Sequence, residues 1–152
     1  MPECPEAPCF VHTPGTPEFW LKEPPLDLQQ VNPFSLSKGW PETALIFDAA
    51  GKVWSMVVPG ASRYRKWYWL ILSQFHNPLR RTGISWKPLR SYELSELLTV
   101  FRRQVSIDDD CLTQFYEPGE IYQMLDESRS FGDVLAVWHK IACGPEERAM
   151  PL

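Results

Sequence analysis

Apolar and polar positions alternate along this chain in two different rhythms. Residues 44–47 (ALIF) and 53–58 (VWSMVV) are short β-rich runs around Asp48-Ala49-Ala50-Gly51-Lys52. Two such runs about a short loop ending in glycine predict a β-hairpin. Pro59-Gly60 should close the second strand. Next comes the stretch Arg63-Tyr64-Arg65-Lys66-Trp67-Tyr68-Trp69-Leu70-Ile71-Leu72. Read with a period of two, Arg65, Trp67, Trp69 and Ile71 share one face and Lys66, Tyr68, Leu70 and Leu72 the other. Both faces are apolar after Lys66, which predicts a third, central strand over 66–72, although a run this short also fits a helix.

From Ser91 onward the period becomes helical. Leu94, Leu97, Leu98, Phe101 and Val105 follow i, i+3, i+4, i+7 and i+11, with Ser91 as the expected N-cap. Ser106 and Asp109 resemble a capping box for a short helix burying Ile107, Cys111, Leu112 and Phe115. Pro118 suits the first position of a further helix with Ile121, Met124 and Leu125 inward. Ser130 and Asp133 then start a helix whose stripe is Phe131, Val134, Leu135, Trp138 and Ile141, ended by Gly144-Pro145. Strands followed by about four helices predict an α+β fold with an antiparallel sheet.

The N-terminal segment obeys neither rhythm. Nine of the 15 prolines lie at or before position 41. They fix φ and remove amide donors, which favours extended chain. Phe10, Phe19, Trp20, Leu21, Val31, Phe34 and Trp40 interrupt them, and a free disordered arm lacks such residues. The expected organisation is a Pro-rich arm packed on the domain over 1–40, one α+β domain over 41–144 and a flexible tail over 145–152. The total of 152 residues suits a single domain of that kind.

Charge changes the picture more than composition does. The net charge is −4, which argues against a wholly basic coat. Residues 43–105 nevertheless carry ten cations against three carboxylates, and residues 106–152 three cations against ten. The acids Asp108, Asp109, Asp110, Glu117, Glu120, Asp126 and Glu127 are expected to form an acidic face on successive helices. The cations Arg63, Arg65, Lys66, Arg80, Arg81, Lys87 and Arg90 could instead neutralise phosphates while Trp67, Tyr68 or Trp69 stacked on bases. That second use needs exposed rings, and the central-strand reading buries them.

Catalytic signatures are missing: no P-loop, dinucleotide glycine fingerprint, GxSxG elbow or HExxH. Cys111 and His139 could make a nucleophile pair, but Cys111 falls on the expected apolar stripe. His139 and Cys143 lie four apart on one helix, yet no CxxC accompanies them, so no metal and no cofactor is expected. No basic start with an apolar run precedes the domain, and no apolar stretch approaches a membrane span. The expectation is a cytoplasmic protein with reduced thiols and no membrane partner. Its expected function is non-catalytic: an inhibitor or immunity-type protein whose acidic helices meet a basic partner, such as a toxin. Nucleic-acid binding through 63–103 is the alternative.

Overall fold

The computed structural model describes residues 3–23, 30–108 and 110–145. Asp109, the expected tail beyond 145 and residues 24–29 of the expected arm lie outside the described residues. The chain divides into two compact units, Met1–Tyr92 and Glu93–Leu152.

The first unit is built on an antiparallel sheet. Strands β1 (Cys9–His12), β2 (Phe19–Lys22), β4 (Leu45–Phe47), β5 (Lys52–Val57) and β7 (Ser85–Ser91) run in the order β2-β1-β4-β5-β7. A separate two-stranded ribbon pairs β3 (Gln30–Val31) with β6 (Arg80–Arg81). The α+β class holds. The proline-rich segment supplies two of the five strands of the main sheet, β1 pairing with both β2 and β4.

The hairpin forms where the pattern placed it, with Ile46 opposite Trp54 and Phe47 opposite Val53. Its turn is held by Asp48, whose amide donates to the Lys52 carbonyl at 3.0 Å and whose carboxylate accepts the Lys52 amide at 2.7 Å. Gly51 takes the left-handed conformation at φ 80°, which a side chain would resist. On one face Cys9, Ala44, Ile46, Trp54 and Met56 form a buried cluster, joined by Val11, Ile84 and Trp86. On the other, Phe10 and Phe19 stack at 5.3 Å and Phe47 meets Tyr92 edge-on at 5.1 Å.

The third strand is a correction. Residues 66–72 do not pair with the hairpin. Gly60, at φ 74°, turns the chain into a 3-10 helix, Ala61–Arg65, and then α3 (Tyr68–Phe75) follows. The partner of β5 is β7. Pro88 lies inside this strand. Here β7 lies at the end of the sheet order, and its register against β5 shifts between Val53 and Trp54, opposite Arg90 and Pro88. An edge or bulge position is where a strand tolerates a residue without an amide donor. With β7 taken, the apolar run is free to coil.

Two short helices precede the sheet's hairpin, and the first of them packs on α3. In α1 (Pro33–Lys38) the Asn32 side chain caps Ser35 N at 2.8 Å, and Gly39 ends it in the left-handed conformation; α2 (Trp40–Thr43) follows at once. The Phe34 amide donates to Asn77 Oδ1 at 3.0 Å, tying the start of α1 to the loop after α3. Val31, Leu36, Val58 and Ala61 make the small core beneath, with Tyr64 packed on it.

The second unit consists of α4 (Leu94–Ile107), α5 (Pro118–Glu127) and α6 (Phe131–Cys143). Leu97, Phe101, Val105, Ile121, Leu125, Val134 and Ile141 are buried, as the 3.6 period requires. Ser130 caps α6 through the Asp133 amide at 3.2 Å, and Pro118 opens α5. Three helices stand where four were expected. Ser106 is inside α4 and donates back to the Arg103 carbonyl at 2.6 Å, and the N-cap of α4 is Glu93 rather than Ser91. The chain from Asp110 to Tyr116 runs in bends. Trp138 is half-buried, 6.0 Å from the Phe101 ring, so Phe101 is the central aromatic of this core.

Candidate interaction surfaces

The stretch expected to be the most deeply buried strand is instead the most exposed apolar feature of the first unit. In α3, Tyr68, Ile71, Leu72 and Phe75 stand at i, i+3, i+4 and i+7, the spacing of one helical stripe. Such a stripe ordinarily faces a core. Here it faces solvent: Ile71 is 52% exposed, Leu72 49% and Phe75 86%. Trp67, 73% exposed, and Leu79, 68% exposed, stand at either end. The flank bearing Trp69 and Ser73 does the packing, while Leu70, across the helix from the stripe, is itself 37% exposed. Ser73 is buried, and Trp69 lies 4.8 Å from the Tyr64 ring. Large apolar residues gathered on one exposed face mark an interaction site in a folded protein.

Cations stand before and after α3 in the chain. Arg63 and Arg65 lie on the 3-10 helix, Lys66 precedes α3, and Arg80 and Arg81 form β6; all five are exposed. Arg65 pairs with Glu42, and Arg80 donates to the Tyr64 hydroxyl at 3.3 Å. Among the described residues Arg63, Lys66 and Arg81 have no carboxylate partner. Lys87 and Arg90 are exposed on β7, in the main sheet. The basic residues thus fall into two groups, of which the α3 group alone includes the exposed rings of Trp67 and Tyr68.

The acidic residues divide differently. Asp108 Oδ2 accepts the Leu112 amide at 2.6 Å and the Thr113 amide at 3.2 Å, pinning the bends after α4. Glu120 accepts the Glu117 amide at 2.9 Å, at the start of α5. Asp126 pairs with Arg102. Glu117 reciprocates in a capping box with Glu120, so four of the seven expected binding acids are engaged in their own unit's local structure. Asp110, in a left-handed turn at φ 78°, and Glu127 are exposed.

The sulfur and imidazole candidates fall in two places. Cys111 is exposed, where the sequence placed it on an apolar stripe; the helix that would have carried that stripe does not form. His139 and Cys143 line an open cavity of about 790 Å³ with Tyr116, Ala136 and Lys140, and Lys140 Nζ sits 5.8 Å from the Tyr116 ring. Among the described residues no three metal-ligating side chains come together.

One polar centre had no sequence signal beyond a turn residue. Asp48 is 1% exposed, and its Oδ2 accepts Trp54 Nε1 at 2.7 Å and the Glu6 amide at 3.3 Å. Its carbonyl accepts the Tyr92 hydroxyl at 2.7 Å. Burial first, then the Asp48 charge and Cys4, pushes the Cys9 thiol up to about 12. Tyr92 is likewise raised, by burial and then by Asp48 and Cys9. A thiol held neutral is a poor nucleophile. This centre knots the hairpin turn to the ends of the sheet.

No family model, curated protein or solved structure matches this chain. No helix among the described residues is long and apolar enough to cross a membrane.

Proposed function

We propose that this chain is a non-catalytic protein–protein interaction protein that docks its partner on the outward face of α3. The observation that carries this reading is the solvent-facing stripe Tyr68, Ile71, Leu72 and Phe75, extended by Trp67 and Leu79. Aromatic residues and arginine are enriched where proteins meet, and such anchors carry most of the binding energy. The acidic helices, favoured by sequence alone, are the weaker candidate because Asp108, Glu120 and Asp126 serve their own unit. Inhibitor or immunity-type action stays within this reading, since occluding a partner needs a binding face and no chemistry. Four free cysteines fit a cytoplasmic setting.

Nucleic-acid binding is the second reading, favoured by one observation: the Trp67 and Tyr68 rings are exposed beside Lys66 and Arg63. It leaves Ile71, Leu72, Phe75 and Leu79 without a use, because a phosphate backbone offers apolar side chains nothing.

A photoreactive phenylalanine at position 75, with a second variant carrying it at Glu127, separates these surfaces in cells. The expected result is a discrete protein adduct from position 75 and none from 127. Adducts from 127 alone would return the acidic helices to first place. Adducts from 75 that disappear on nuclease treatment would favour nucleic acid.

A further inference from the structure

We infer that the α3 face takes an acidic amphipathic helix of a partner protein, a step that rests on reading that face as the docking surface. The stripe from Tyr68 to Phe75 runs seven positions, about 10 Å of helix axis. A second helix can lay its own ridge of apolar side chains along a stripe of that length. The charges before and after α3 specify the rest. Lys66 and Arg63 stand before α3 and Arg81 after it, and none of the three has a carboxylate partner among the described residues. Lys66 adjoins the exposed Trp67, so a partner lying along the stripe would draw water from it first. A partner that supplied carboxylates at both ends of its apolar ridge would compensate these cations.

The same charges count against a second copy. A closed symmetric dimer through this face would set one basic patch against its duplicate. Glu42 is already held by Arg65.

The test uses the full chain and a synthetic amphipathic helix with leucines at i, i+3, i+4 and i+7 and glutamates at its ends. A sister peptide carries lysines in place of the glutamates. A single-stranded oligonucleotide, phosphatidylserine vesicles and sedimentation of the chain alone complete the set. The acidic peptide is expected to bind roughly tenfold or more tightly than the basic one at low salt, with the gap narrowing as salt rises. Phe75→Ser with Ile71→Ser should weaken the acidic peptide, while Lys66→Glu with Arg81→Glu should invert the preference between peptides. All four positions are exposed, so these variants leave the core intact.

Equal affinity for the two peptides, or no inversion, overturns the acidic partner and leaves the docking face standing. Indifference to Phe75→Ser with Ile71→Ser removes the face as well. Failure of both peptides to bind overturns the inference. So does tighter binding to oligonucleotide or vesicles, or a dimer dispersed by Phe75→Ser.

Discussion

Single residues decide most at the hairpin turn. Asp48 gives one oxygen to the part-buried Lys52 amide and the other to Trp54 Nε1 inside the core. Asp48→Ala leaves the buried Trp54 donor without its partner, so it should cost about 2 kcal/mol in urea unfolding. The neighbouring thiol sets a pH limit. Cys9 is raised from an ordinary 9.0 to about 12, so above pH 9 the unfolded chain releases a proton that the folded chain keeps. The thiol's contribution is complete below pH 9 and is lost as pH rises toward 12. Tyr92, raised for related reasons, adds to the decline at high pH. Cys9→Ala should make the fall in urea midpoint across that window shallower. At pH 8 a thiol reagent should label Cys4, Cys111 and Cys143 quickly and Cys9 only on unfolding, since Cys9 is the buried member of the four. A fast fourth thiol would show that the β1 end of the sheet opens readily.

At the scale of elements, the chain was most legible where a cap and a period agreed. Ser130 with Asp133, Pro118 and the leucine stripe of α4 each announced a helix, and each helix is present. Ser130→Ala should lower stability by about 1 kcal/mol by chemical denaturation, the usual loss for an N-cap. The hairpin was equally plain. The segment 66–72 was not, because six apolar or aromatic residues in a row satisfy period two and period 3.6 alike. What would have resolved it lay just outside: Phe75 completes a helical stripe with Tyr68, Ile71 and Leu72. The expected burial of Trp67 and Tyr68 failed with the strand, because a helix satisfies its own backbone and exposes side chains alone. The capping box at Ser106 failed for the opposite reason: a good local signal was overridden when α4 continued through it to Ile107.

Taken whole, the chain distributes its charge unequally. Met1–Tyr92 carries ten cations and seven carboxylates, and Glu93–Leu152 five cations and twelve carboxylates. That asymmetry was readable from sequence, but the work each carboxylate does was not, because hydrogen bonds to a backbone amide leave no trace in composition. Asp110→Asn with Glu127→Gln should therefore leave stability within about half a kcal/mol of the parent. Asp108→Ala, which frees the amides of Leu112 and Thr113, should cost about 2 kcal/mol in the same denaturation assay. In the core of the helical unit Phe101→Ala should cost about 4 kcal/mol and half-buried Trp138→Ala less.

Pro88 in the outermost strand reaches beyond the shift in register it accompanies. A sheet that ends in a regular ladder of amides and carbonyls invites another copy to add on, and repetition of that step yields fibres. This edge is one amide short at Pro88 and bears exposed Lys87 and Arg90 on either side. Substituting valine at 88, with threonine at 87 and 90, would restore the ladder and remove both charges. Such a chain should form thioflavin-positive aggregates on prolonged incubation under conditions where the parent remains clear.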